Sequence, residues 1–142
     1  MKFLTVLAVC LIAGATCGRG PCNDMFRIRE LSEMLPNWTD KVKLQIISED
    51  TDSPRSEIQS QINDIVSQQS DDIQEGYRLL IENQETRREQ KYQQQLETLQ
   101  SQNASQQRIN ALEQKHQIMT NMSLSQSEAN EQIRQLGFNF HH

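Results

Sequence analysis

Aromatic side chains are scarce. They form 5% of the 142 residues, with a single tryptophan, which leaves little surplus apolar surface for an internal ligand cavity. Clustered positive charge is scarce too: Lys and Arg number 14 against 19 Asp and Glu, for a net charge of -5. Nucleic acid and anionic membrane surfaces call for the opposite balance, so both are excluded as expected partners. Arg87, Arg88 and Lys91 form a local basic cluster, but Glu85 and Glu89 are interleaved with it, which reads as a solvated mixed-charge helix face. Beyond the N-terminal run, no stretch approaches the roughly 20 apolar residues of a membrane span. Catalytic patterns are missing from the sequence as well. It has no Gly-framed serine, no phosphate-cradling glycine loop and no histidine spaced with a nucleophile, so the chain is not expected to be an enzyme.

The N-terminus reads as a secretory signal: Lys2, an apolar run over residues 3–12, then Ala13-Gly14-Ala15 as a small-x-small cleavage pattern, with the cut placed after Ala15. The expected location is therefore extracellular. Cys10 leaves with the signal, and Cys17 and Cys22 flank Gly18-Arg19-Gly20-Pro21, a spacer flexible enough to close a small disulfide ring. Such a ring contributes roughly 2 kcal/mol by chain entropy and pins only the first turn of the structure. A cut after Cys17 or Gly18 would instead leave Cys22 unpaired and able to link two chains, which keeps a homo-oligomer open. The expected organisation is a signal over 1–15, a Cys-containing segment over 16–23, a helical domain over 24–137 and a flexible tail over 138–142.

Within that domain the hydrophobic period is helical throughout. Residues 24–35 are predicted as a first helix with Phe26, Ile28, Leu31, Met34 and Leu35 as its apolar side, ended by Pro36. Residues 39–48 form a second, with Val42, Leu44, Ile46 and Ile47 as core candidates. An acidic loop follows, and Ser53-Pro54 opens a third helix to residue 69, where Ile58, Ile62, Ile65 and Val66 recur at helical spacing. A fourth begins near Asp71 with Ile73, Tyr77, Leu80 and Ile81, then runs through a Gln- and charge-rich tract to about residue 100, its middle exposed.

The cluster Ser101, Asn103, Ser105 weakens the helical signal before Ile109, Leu112, His116 and Met119 restore it. Either one very long helix continues or two helices turn back on each other. Shared burial of Leu96 and Leu99 with Ile109 and Leu112 favours the turn. Ser125 with Glu128 matches a capping box, Ala129, Ile133 and Leu136 supply the last apolar face, and Gly137 is placed to stop it. The fold class is all-α, a small bundle of about five to six helices with one long, partly exposed Gln-rich helix. The helical pair over residues 54–81 buries too little to stand alone against backbone entropy, so the first, second and last helices, or another subunit, must close over it.

The residues Ile58, Gln61-Ile62, Ile65-Val66, Gln69, Ile73-Gln74 and Tyr77, with Leu124-Ser125, Ala129 and Ile133 near the end, resemble the SXP/RAL family of small secreted nematode proteins. That family's domain is also described as Anisakis-allergen-like and cation-binding. The resemblance spans residues 31–136 loosely and is strongest over 54–77. It implies an all-helical extracellular protein, often antigenic to a host, with no settled biochemical role. Pro36-Asn37-Trp38-Thr39 and the Cys17, Cys22 pair depart from the pattern, so no role carries over to them.

Cation binding is what the resemblance implies chemically, and Glu49, Asp50 and Asp52 are the candidate ligands for a divalent cation such as calcium or magnesium. Pro54 and Arg55 stand where a calcium loop needs glycine and further oxygens, so a solvated loop is the competing reading. Asp71, Asp72 and Glu75 are more simply explained as negative charge at a helix N-terminus. Three sequons begin at Asn37, Asn103 and Asn121, candidate glycan sites in an exported chain that require a solvent-facing asparagine. His116 sits at a core edge, and with His141 and His142 it makes no metal triad. The expected function is that of a secreted, non-enzymatic protein acting at a host or tissue interface on an extracellular protein partner. A carrier of a small apolar ligand and a structural coiled coil are the alternatives.

Overall fold

The computed structural model describes residues 25–138, the side chain of Phe138 excepted. Among these, six helices run α1 (Ile28–Met34), α2 (Trp38–Glu49), α3 (Arg55–Val66), α4 (Asp71–Ser101), α5 (Gln106–Thr120) and α6 (Gln126–Phe138). No strand occurs among the described residues; an isolated antiparallel bridge joins Pro54 to Ser125. The expected all-α bundle is therefore the fold observed. The signal, the Cys17, Cys22 pair and the tail beyond Phe138 lie outside the described residues.

Local chemistry sets most boundaries. Arg27 takes a left-handed conformation, φ 51°, immediately before α1, so the helix starts at Ile28 and not at residue 24. Pro36 separates α1 from α2, and Asn37 caps α2 by accepting the Thr39 N–H at 3.0 Å. The Ser53-Pro54 cap is a correction: Pro54 precedes α3, but the Ser53 hydroxyl donates to Asp50 Oδ2 and caps nothing. The α4–α5 turn follows expectation. Asn103 adopts φ 50°, its N–H reaches Gln100 O at 3.0 Å and that of Ala104 reaches Leu99 O at 2.9 Å, the paired bonds of a left-handed helix stop. Ser125 and Glu128 complete the capping box, with Ser125 N–H on Glu128 Oε2 at 2.8 Å and Glu128 N–H on Ser125 Oγ at 3.1 Å. Gly137 does not stop α6, which runs through it to Phe138.

Packing is unevenly distributed. Leu31 and Leu35, Leu44 and Ile47, Ile58, Ile62 and Ile65, and Tyr77 form one buried cluster from α1, α2, α3 and the start of α4. Tyr77 also donates its hydroxyl to Phe26 O at 2.9 Å, tying the segment before α1 to α4. Farther along, Leu96, Leu99, Ile109, Leu112, Ile133 and Leu136 are only half-buried, although α5 packs on both α4 and α6. Two of the four core candidates on α2 are corrections: Val42 and Ile46 face solvent, because the bundle touches only the side of α2 that carries Leu44 and Ile47.

Candidate functional site

The α2–α3 loop and the α5–α6 loop meet at the Pro54–Ser125 bridge. Arg55 N–H donates to Leu124 O at 3.1 Å, Ser56 N–H to Met122 O at 2.9 Å and Ser127 N–H to Thr51 O at 2.9 Å. Arg55 lies beneath this junction, 5% exposed. Its Nη1 donates to Ile118 O, Met119 O and Asn121 O at 3.0, 3.3 and 3.4 Å, and its Nη2 to Gln126 Oε1 at 3.2 Å. A fixed cation thus satisfies the C-terminal carbonyls of α5 while gripping the first residue of α6. Asp40 plays a similar part in α2. It is buried, accepts Lys43 Nζ at 2.9 Å and Gln69 Nε2 at 3.2 Å, and those donors hold its carboxyl below its ordinary value.

The acidic loop is engaged in building itself. Asp50 Oδ1 accepts the N–H groups of Asp52 and Ser53 at 3.0 and 2.9 Å, and Oδ2 accepts the Ser53 hydroxyl at 2.7 Å. The Ser53 hydroxyl and then these amides keep the Asp50 carboxyl below its ordinary value. Asp52 Oδ1 accepts the Ser127 hydroxyl at 2.9 Å and Glu49 Oε1 accepts Gln45 Nε2 at 3.3 Å. With α2 ending at Glu49 and α3 starting at Arg55, the connection is far shorter than the roughly 12-residue calcium loop. Among the described residues no three His, Cys, Asp or Glu side chains converge as metal ligands. At the start of α4, Glu75 is held by Arg78 at 2.7 Å, and Asp71 and Asp72 occupy the exposed first turn.

All three sequon asparagines are exposed: Asn37 at the α2 cap, Asn103 at the tip of the α4–α5 turn, and Asn121 where its Oδ1 accepts the Ser123 N–H and hydroxyl at 2.9 and 2.6 Å. His116 is a half-buried edge residue. It stacks on Tyr92 with ring centroids 4.0 Å apart, and its Nε2 is 3.4 Å from Glu89 Oε2.

Two surfaces were not expected. Trp38, Val42 and Ile46 recur at i, i+4 and i+8 along α2, and with the described residues in place they are 76%, 37% and 65% exposed. The second surface lies on α4, whose mixed-charge stretch is solvated, with Glu85, Arg87, Glu89 and Lys91 all exposed. Helical phase places Leu80, Gln84, Arg87 and Lys91 on one face, which lines a cleft of about 600 Å³ together with Arg88 and residues of the other helices. Glu85 and Glu89 fall on the neighbouring face and line an adjoining depression beside His116, which shares Met25 and Arg88 with the cleft. No family model matches this chain, and neither curated proteins nor solved structures yield a match.

A local signal existed for one of these surfaces only. The apolar residues of α2 fall on two sides of its helical wheel, so an outward stripe was readable. The acceptors of Arg55 lie 63 to 71 residues away in the chain, where no short-range pattern reaches.

Proposed function

We propose that this chain is a secreted, non-enzymatic helical protein that works by binding an extracellular protein partner through the Trp38, Val42, Ile46 stripe. The exposure of Trp38 carries this reading. A large apolar ring held in water on a rigid helix is the kind of anchor that dominates binding energy when a pocket takes it up. The stripe is a ridge, and its complement is an apolar groove on the partner, entered by side chains at one-turn intervals. A second copy of this chain is the weaker fit, since three side chains spanning two turns offer roughly half of the ~800 Å² per partner that a stable interface buries. The likeness to SXP/RAL proteins supports the extracellular and antigenic side of the proposal, and it rests on the residues at 58–77 and 124–133 alone.

The test compares the full chain with the Trp38→Glu, Ile46→Glu double variant, both immobilised and exposed to the extracellular fluid of the source tissue. The expected result is a partner retained by the parent and lost by the variant, with the helical circular dichroism of the two unchanged. Equal capture by both, or capture of nothing by either, overturns the proposal. So does a parent that self-associates through this stripe.

A further inference from the structure

Five of the 14 Lys and Arg side chains of this acidic protein line one cleft, and no carboxylate lines it among the described residues. Arg27 is paired with Glu30 at 2.6 Å, and Arg55 is engaged by the α5 carbonyls. Arg87, Arg88 and Lys91 have no ion pair or hydrogen bond among the described residues, although Glu85 and Glu89 are their near neighbours in the chain. No carboxylate therefore offsets the positive charge from within the cleft, although the half-buried Arg88 also borders the adjoining depression that Glu85 and Glu89 line. The apolar part of the cleft wall comes from Leu80, on the same face of α4 as the cations, and from Met25, Met119 and Ile133 of other segments. A volume of about 600 Å³ falls within the range of small-molecule sites.

A bare inorganic anion would satisfy the cations and leave the apolar wall wet. A neutral hydrocarbon would cover that wall and leave the cations without a counter-charge. We propose that the cleft binds an anionic amphiphile of the long-chain fatty acid class. Its carboxylate meets Arg87, Arg88 and Lys91, where planar guanidinium groups suit bidentate pairing. Its chain lies along Leu80, Met25, Met119 and Ile133. This site is separate from the α2 stripe, so it stands or falls independently of the partner proposal.

The test is a fluorescence titration of the full chain with a dansyl-labelled fatty acid, followed by displacement with oleate, oleyl alcohol and inorganic phosphate. Oleate is expected to displace the probe at concentrations at least about ten-fold below those needed for the alcohol, the worth of one charge-assisted hydrogen bond or more. The Arg87→Gln, Arg88→Gln, Lys91→Gln triple variant is expected to lose at least about ten-fold in probe affinity with its helicity retained, since glutamine is a good helix former and no intramolecular pair is removed. Lys115→Gln, a charge change outside this cleft, is expected to bind as the parent does. Absence of probe binding, equal displacement by oleyl alcohol, displacement by phosphate as effective as by oleate, or a triple variant that binds normally would each overturn the assignment.

Discussion

Arg55 concentrates more structural consequence than any residue whose importance could be read locally. Replacing it with methionine keeps an unbranched stem but strips donors from Ile118 O, Met119 O, Asn121 O and Gln126 Oε1. The expected loss is about 2–4 kcal/mol of unfolding free energy in urea titration, with Arg55→Lys only partly restoring it because an ammonium lacks the planar fork. Asp50 allows a pH prediction. Its carboxyl is held below the ordinary value by the Ser53 hydroxyl and the Ser53 and Asp52 amides, so its contribution is complete above roughly pH 4 and disappears as pH falls through the folded-state value. Thermal melts of the parent should therefore weaken on acidification below that point more steeply than those of Asp50→Asn. An equal slope in the two proteins would show that the loop carboxylate is not linked to folding.

At the scale of elements, α2 shows how far periodicity goes. Its apolar residues were legible as a helix, but Leu44, Ile46 and Ile47 fall within four consecutive residues and only contact with α1 and α3 decides which side is inward. Leu44→Ala removes a fully buried side chain and is expected to cost about 2–5 kcal/mol. Ile46→Ala, on the outward side, should stay within about 0.5 kcal/mol of the parent. Chemical denaturation of the pair measures the contrast, and comparable losses would place Ile46 in the core. The turn at Asn103 and the Ser125, Glu128 capping box were readable because all their partners lie within a few residues. The Ser53-Pro54 cap misled for the same reason in reverse: Asp50, three residues back, offers the Ser53 hydroxyl a better acceptor than the helix offers it a donor.

Across the whole molecule, burial is concentrated at the α1–α2–α3 end, while the far half of α4 packs with α5 and α6 through half-buried side chains. Native-state hydrogen exchange should follow that gradient, with α3 amides opening only near the global unfolding free energy and those around the α4–α5 turn opening at lower cost. Uniform protection across all helices would contradict it. The sequence by itself determined that this protein is a set of amphipathic helices, where most of them begin and end, and that the chain doubles back near Asn103. Those properties depend on side-chain period and on caps whose partners are close along the chain. Tertiary structure decided the rest: which face of α2 is wet, that Arg55 closes α5 from more than sixty residues away, and that Arg87 and Lys91 of α4 border one depression and Glu85 and Glu89 another, with Arg88 between them on both. These depend on where helices distant in sequence come to rest against one another, and nearest-neighbour patterns carry no record of that.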